Sequence, residues 1–444
     1  MKERMPKKVL IKTLGCPKND VDSQVLAGLL DSRGWIIVST LEEAEVAVLN
    51  TCAFIDTAKA ESIEYIWELV ELKESGEIDA VVVTGCLAER YGEVLSEEIP
   101  QLDGIIGNKD VKKIAGEIGP ALESDGKPHL SIPDGYADDW YHSRADFHHP
   151  AWAYLKICEG CDNRCNYCAV PGIRGGLRSA SPESVLSQAR HMLDAGVREL
   201  VVVGQDTMAY GMENGSGRFA NLLRRISELE GDFWIRVMYA HPRNLTDEAI
   251  EALANTPKVL PYLDLPIQHI SDRILESMGR GISGGEIRDK VHRLREASPD
   301  LTLRTSIIAG FPGEEDEDFS ELADFLEEGH FLHGGVFEYS AEEGTLSAEL
   351  ENKNPPGVIQ SRKDILEEIF DRLRCEANIA LEDETVDVLV ESSGTRKGLY
   401  WGRTAHDAPE IDRKVRFHGN AGLPDIVPVR IIRGTRSHLL GVQE

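Results

Sequence analysis

Residues 153–168 read Ala-Tyr-Leu-Lys-Ile-Cys-Glu-Gly-Cys-Asp-Asn-Arg-Cys-Asn-Tyr-Cys. A β-rich run, 153–157, ends in a loop that carries four cysteines. The pairs Cys158/Cys161 and Cys165/Cys168 are separated by three residues, whereas a zinc ribbon needs roughly 15–20 between its pairs. A ferredoxin run spaces its cysteines by about two, two and three residues and then places Pro. Here the spacings are two, three and two, and Ala169 follows. Within the loop, Cys161, Cys165 and Cys168 form a C-x3-C-x2-C triplet.

Outward from this loop the chain alternates. Strand candidates follow at 199–203, 234–239, 262–267, 301–309 and 335–339. Helical patterns at 182–195, 218–229, 246–255, 271–278, 285–296 and 316–328 lie between most of them. Six β-α units in a row predict a parallel barrel, incomplete because a closed one needs about eight. The triplet directly follows its first strand, on the face where barrel active sites form. A further helix, 358–375, closes the region, and Cys375 on it reads as core.

Toward the amino terminus the beat is shorter. Val9-Leu-Ile-Lys-Thr13 reads as a strand, and Val21, Val25, Leu26, Leu29 and Leu30 follow at helical spacing up to Gly34. Residues 35–38, 46–50 and 80–84 read as strands and 57–74 as a helix. The pattern predicts an open, doubly wound parallel α/β domain over residues 1–115. Cys16, Cys52 and Cys86 each stand just past the carboxyl end of an apolar strand. In a parallel sheet those ends share one edge, where ligands bind, so the three can converge. Gly15 and Gly85 allow tight turns beside a bulky guest. Ordinary buried cysteines are common in cores, but three repeats of strand-then-cysteine favour a metal site. Three thiolates suit an iron–sulfur cluster with one open iron or zinc with an open position, and this domain's residues leave both open.

Residues 123–150 lose the periodicity and read as a linker by composition. His142, His148 and His149 lie there among acids, and a solvated segment outweighs a metal site. After about residue 378 short runs at 385–390, 398–401, 415–417, 426–432 and 438–442 predict a small antiparallel β-barrel.

Composition sets the outer limits. The 444 residues carry 77 acidic and 48 basic side chains, a net charge of −29. Residues 378–444 are nearly neutral, with 10 acids and 9 bases. Such a chain is poorly suited to broad nucleic-acid binding, because each phosphate contact needs a cation. No apolar run approaches a signal core or a membrane span, which predicts a cytoplasmic protein. Eight cysteines in a reducing compartment point to metal or catalysis rather than disulfides.

The C-x3-C-x2-C triplet resembles the signature of the radical S-adenosylmethionine (SAM) enzymes. The resemblance implies a [4Fe-4S] cluster on Cys161, Cys165 and Cys168 whose fourth iron SAM chelates. It also implies reductive cleavage of SAM to a 5′-deoxyadenosyl radical. Tyr167 occupies the family's aromatic position near the adenine. Gly204, Gln205 and Asp206 match the place where the methionine moiety is held, and Gln268 and Arg304 are further SAM candidates. Asp206 reads equally well as a helix cap. Cys158, where the family shows a small residue, reads as a spare thiol.

The combination of three domains narrows the resemblance to the methylthiotransferases, over essentially the whole chain. The matching segments are Thr13-Leu-Gly-Cys-Pro-Lys-Asn19, Asn50-Thr-Cys52, Ala58-Lys-Ala-Glu-Ser62, Thr84-Gly-Cys86, Ile173-Arg-Gly175, Gly204-Gln-Asp206, Pro266-Ile-Gln-His269 and Gly310-Phe-Pro-Gly-Glu314. The resemblance divides the chain into a methylthiotransferase domain (1–115), the linker (116–150), a radical-SAM barrel (151–377) and a TRAM-like substrate-docking domain (378–444). It implies a second, auxiliary [4Fe-4S] cluster on Cys16, Cys52 and Cys86, two uses of SAM, and an electron donor such as flavodoxin or ferredoxin.

Two branches of that family compete. One modifies an anticodon-adjacent adenosine of tRNA; the other modifies the β-carbon of an aspartate in small-subunit ribosomal protein twelve. Leu-Gly-Cys-Pro-Lys-Asn is the wording of the ribosomal branch, and Asp407-Ala-Pro-Glu-Ile-Asp412 resembles a phrase of its terminal domain. The charge balance also favours a basic ribosomal protein over tRNA. The acidic segment Asp407–Asp412 is then a candidate contact for that substrate.

Overall fold

The structure is a computed structural model that describes residues 7–124, 126–136, 144, 149–214 and 218–444. Its first layer is a six-stranded parallel sheet: β1 (Lys8–Thr13), β2 (Ile36–Val38), β3 (Val46–Thr51), β4 (Ala80–Gly85), β5 (Gly104–Ile106) and β6 (His129–Ser131). The order is β2-β1-β3-β4-β5-β6. β3 and β4 are buried along their whole length, as central strands covered on both faces must be. Residues alternate between the faces. Leu49, Val81 and Val83 pack with α2 (Asp56–Glu74) and α3 (Cys86–Glu98). Val9, Val48 and Val82 pack with α1 (Pro17–Asp31) and α4 (Val111–Ala121).

The stretch read as a linker supplies part of this sheet, because α4 ends at Ala121 and β6 forms the edge strand. A three-residue strand with no fully buried residue leaves little periodicity to read. His142 and His148 lie outside the described residues. His149 stacks on Trp152 at 5.1 Å.

The central sheet curls into a partial barrel. Its strands are β7 (Trp152–Lys156), β10 (Glu199–Val203), β11 (Trp234–Val237), β12 (Val259–Asp264), β13 (Thr302–Ala309) and β14 (His333–Glu338), paired in parallel in that order. Between the first two, β8 (Cys158–Glu159) and β9 (Arg178–Ser179) form a short ribbon that frames the cysteine loop, with α5 (Val170–Arg174) inside it. Sequence signals that start the helices act as expected. Ser181, Thr246 and Ser283 cap the helices that follow them, Ser283 in a capping box with Glu286.

The terminal domain is a closed five-stranded barrel of β15 (Thr385–Ser393), β16 (Leu399–Thr404), β17 (Lys414–His418), β18 (Ile426–Gly434) and β19 (His438–Gln443). It is antiparallel except where β17 and β19 run parallel. It closes the central barrel at the end where the strands begin. Arg403 pairs with Glu199 and Glu391, each at 2.5 Å, and Arg236 pairs with Glu199 at 2.5 Å, all deeply buried.

The segment Asp407–Asp412 belongs to this seal, which corrects its reading as a surface for a basic substrate. Asp407 is fully buried, paired with Arg413 at 2.7 Å and His333 at 3.3 Å. Asp412 accepts the Tyr262 hydroxyl at 2.7 Å, and Glu410 accepts the Tyr154 hydroxyl at 2.8 Å. Acidic residues look solvated in a sequence; here cations and phenols inside the barrel claim them. No helix of the described residues is long and apolar enough to cross a membrane.

Candidate functional site

The three N-terminal cysteines meet at one sheet edge. Cys16 caps α1 after β1, Cys52 follows β3, and Cys86 opens α3 after β4. The order of strands reverses beside β1, the place where open α/β sheets take their ligands. The loops touch: a Cβ on Gly15, at φ +99°, would stand 2.7 Å from Cys52 Cβ. Asn19 ties them together, donating to Leu14 O (2.8 Å) and Thr51 O (3.0 Å).

Burial pushes the Cys86 thiol up to about 12, against the pull of Arg174. Burial also raises Cys52, and the charge of Cys16 adds to both. N–H donors nevertheless point at sulfur: Asn108 Nδ2 at 3.6 Å and Arg174 Nη2 at 3.8 Å from Cys86 Sγ. Thiols that are hard to ionise alone, yet face donors, suit a bound cationic metal centre.

The second triad is built the same way. Burial pushes Cys161 up to about 11 and Cys168 up to about 12. Asn163 donates to Cys161 Sγ at 3.4 Å and Arg280 to Cys165 Sγ at 3.6 Å. His241 stands 3.8 Å from Cys165 Sγ through Nε2, while its Nδ1 accepts the Arg243 N–H at 3.2 Å. Burial, with Arg280 and Arg243, lowers His241 to about 2, so the ring is neutral. The proton must then sit on Nε2, facing sulfur. Among the described residues no group of three or more His, Cys, Asp or Glu side chains is set to hold a single metal ion. A cluster of several irons, each taking one thiolate, asks for wider spacing.

Cys158 points elsewhere. Its buried Sγ approaches Asp206 O at 3.6 Å, and a Cβ on Gly204 would stand 2.4 Å from it. Burial drives its thiol upward.

The SAM candidates surround the second triad unevenly. Tyr167 takes a hydrogen bond from Arg280 at 3.2 Å. Asp206 is saturated: it accepts from Met208 N, His241 N, Asn163 Nδ2 and Asn244 Nδ2. It is therefore a cap that also fixes the cysteine loop. Gln205 donates to Glu159 at 2.7 Å, while its buried Oε1 has no partner. Gln268 holds φ +70° and Tyr239 φ +60°. Such conformations cost of order 1–3 kcal/mol and persist where surroundings enforce them. Arg304 stands apart, deeper in the barrel near Asp264 (3.9 Å) and Asp412 (3.8 Å).

A buried ion ring joins the two triads' supports. Lys156 pairs with Asp22 (2.5 Å) and Glu159 (2.7 Å), and Arg174 pairs with both at 2.9 Å. Sequence reading missed Asn19, Arg174, Asn163, His241 and Arg280 as contacts of the triads. Asn19, Asn163 and Arg174 lie inside the motifs that carried the resemblance; the other two have no local signal.

Comparison with known proteins agrees with this layout. Residues 8–107 match an uncharacterized protein family, UPF0004; residues 155–326 match the Radical SAM superfamily; residues 384–443 match the TRAM domain. A ribosomal protein uS12 methylthiotransferase RimO from Pelotomaculum thermopropionicum is 41% identical over 438 residues, 98% of each chain. Proteins of the same name from Geobacter sulfurreducens (41%, 98% of each chain) and Myxococcus xanthus (41%, 97% of this chain and 90% of that one) are equally similar. Among solved structures, the radical SAM methyltransferase TsrM from Kitasatospora setae superposes with TM-score 0.56 at 15% identity, covering 75% of each chain. The cobalamin-dependent radical enzyme OxsB gives TM-score 0.54 at 14% identity, with 82% of this chain and 56% of that one covered. At such identities the likeness is one of fold. With about two fifths of its residues shared along nearly its whole length, the chain belongs to the RimO-type ribosomal protein uS12 methylthiotransferase family.

Proposed function

We propose that this chain attaches a methylthio group to the β-carbon of an aspartate in ribosomal protein uS12. The observation that carries the reading is Arg174, which reaches Cys86 of the first thiol triad and Glu159 at the base of the loop that carries the second. Both triads fit an iron–sulfur cluster by their donor sets: three thiols each, with amide, guanidinium or imidazole N–H groups turned toward sulfur. Cys161, Cys165 and Cys168 would hold the SAM-binding [4Fe-4S] cluster, and Cys16, Cys52 and Cys86 the auxiliary one. When bound, the clusters and SAM supply the electron, the hydrogen-abstracting radical and the methylthio sulfur.

The chain's own groups bind and orient. Gln205 Oε1, the buried acceptor without a partner, suits the amino group of SAM. Asp206 keeps Asn163 against Cys161. His241 and Arg280 donate to Cys165, and Arg280 also orients Tyr167 beside the site. Gly204 lets the loop after β10 pass close over Cys158. Gln268 stands on the rim after β12. The functional units follow the first sheet domain through its edge strand β6, which ends at Ser131, and segments 151–377 and 378–444. Flavodoxin or ferredoxin is the class of electron donor, and the cytoplasm, where ribosomes are assembled, is the place of action.

The tRNA alternative is not favoured, since the net charge is −29 and the terminal domain is nearly neutral. Mass spectrometry of ribosomal proteins and tRNA from a strain lacking the gene tests the reading. Loss of a methylthio group from uS12 is expected; its loss from tRNA with uS12 intact overturns it.

A further inference from the structure

Two buried cations, Lys18 on α1 and Arg304 on β13, are left without a hydrogen-bonded acid. Lys18 lies two residues past Cys16, and its Nζ sits 3.4 Å from the centroid of the Tyr239 ring. Among the described residues it makes no ion pair. Arg304 points inward from β13, and its side chain is 12% exposed. Its nearest carboxylate oxygens are Asp264 Oδ1 at 3.9 Å and Asp412 Oδ1 at 3.8 Å, both beyond hydrogen-bond reach. Each of those acids is held from another side. Asp264 Oδ2 accepts the Tyr239 N–H at 3.1 Å, and Asp412 Oδ2 accepts Tyr262 Oη and Ala408 N. A guanidinium has five N–H donors in a planar fork, and one this buried is costly to leave unmatched.

Beside the fork, β14 carries no side chain at Gly335: a Cβ there would stand 3.5 Å from Arg304 Nη2 and 3.2 Å from the Phe337 ring, so Phe337 covers this side of Arg304. Phe337, two residues on along β14, is 44% exposed. Lys18 and Arg304 each act electrostatically on Tyr239 and Asp264, and Cys16 acts on Lys18 and Tyr239. The two cations therefore flank the same pair, Tyr239 and Asp264, next to the first thiol triad.

We propose that Lys18 and Arg304 receive the side-chain carboxylate of the target aspartate, which enters past Phe337, and so select an acidic residue as substrate. This rests on the reading of uS12 as substrate. It also moves Arg304 away from SAM. Arg304 lies three residues before Ile307, the residue bridged to Gln268, which is about 10 Å along a strand. A bidentate guanidinium–carboxylate contact fits the planar fork, and an ammonium supplies a second charge without fixing direction.

The test is a binding measurement on the anaerobically reconstituted full chain. The probes are purified uS12 and the same protein with the modified aspartate replaced by Asn. Wild type should bind the Asp form at least about tenfold more tightly, the range of one charged hydrogen-bonded contact. Arg304→Gln and Lys18→Met should each remove that preference while leaving affinity for the Asn form, iron content and SAM binding unchanged. Arg304→Lys should restore part of it, and shows that the loss is not misfolding. If the variants still prefer Asp, or if Arg304→Gln loses SAM instead, the assignment is overturned. If wild type modifies uS12 yet binds both forms equally, the carboxylate site falls and the parent reading stands. If wild type neither binds nor modifies uS12, both fall.

Discussion

Arg174 Nη2 lies 3.8 Å from Cys86 Sγ although Arg174 belongs to the loop that carries Cys161, Cys165 and Cys168. The same guanidinium reaches Asn19 Oδ1 at 2.5 Å, and Asn19 holds the loops of Cys16 and Cys52. One side chain thus touches the frames of both triads. With Lys156, Asp22 and Glu159 it forms a ring of alternating charge. Burial alone would raise Glu159, but Arg174 and Lys156 hold its carboxyl well below the usual range. Buried ion pairs therefore tie the frames of the two triads together.

Replacing Arg174 by Met removes one cation from that ring and leaves two buried carboxylates sharing Lys156. Breaking a buried pair in this way costs about 3–5 kcal/mol. Chemical denaturation should show such a loss, with less in Arg174→Lys, which keeps the charge but not the fork. A change below about 1 kcal/mol would mean that the ring does not hold the domains.

Iron content separates the triads. Two cubanes give about eight irons per chain after anaerobic reconstitution. Cys161→Ala, Cys165→Ala and Cys168→Ala together should leave about half the iron and abolish the release of 5′-deoxyadenosine. Cys158→Ser should keep the full complement, since its sulfur faces Asp206 O and Gly204. Equal loss in the Cys158 variant would show that the wrong three cysteines have been assigned.

His241 offers a finer probe. A neutral imidazole whose Nε2–H faces Cys165 Sγ stabilises negative charge on that sulfur. Hydrogen bonds to cluster sulfurs raise the reduction potential. His241→Leu should lower the potential of the cluster on Cys161, Cys165 and Cys168 by tens of millivolts, read by an electron-paramagnetic-resonance titration, and leave iron content alone. An unchanged potential would remove His241 from the site.

The six triad cysteines were legible because each follows a strand or a neighbouring cysteine within one motif. Their supporting donors were not. His241 reaches Cys165 across 76 residues and Arg280 reaches it across 115. A lone histidine or arginine carries no periodicity that forecasts such a contact. The strand alternation of the central barrel was readable because parallel strands are apolar runs spaced by amphipathic helices. β5 and β6 were missed because Gly104-Ile-Ile106 and His129-Leu-Ser131 hold only two and one apolar residues, whereas the equally short β2 stands in the apolar run Trp35–Val38. The acidic segment Asp407–Asp412 misled for the opposite reason: composition reports charge, and only packing reports whether that charge meets water.

That segment gives the last prediction. Burial alone would raise Asp407, but Arg413, His333 and the Thr404 hydroxyl hold its carboxyl well below the ordinary carboxylate range. A carboxyl depressed in the folded state stabilises the fold above its unfolded value, about 3.9. That contribution is lost as pH falls toward the lower folded value. Asp407→Asn leaves Arg413 buried without its counter-ion and should cost about 3 kcal/mol at pH 7. The gap between variant and wild type should hold down to about pH 4 and narrow below it. Charge reversal at Asp407, Glu410 and Asp412 together should prevent folding, because two of the three are sealed inside the barrel. Glu410→Lys alone loses one bond to the Tyr154 hydroxyl and should cost about 1 kcal/mol without weakening uS12 binding. If the Asp407 variant is as stable as wild type at every pH but no longer binds uS12, the segment is a docking surface after all and the seal described here is wrong.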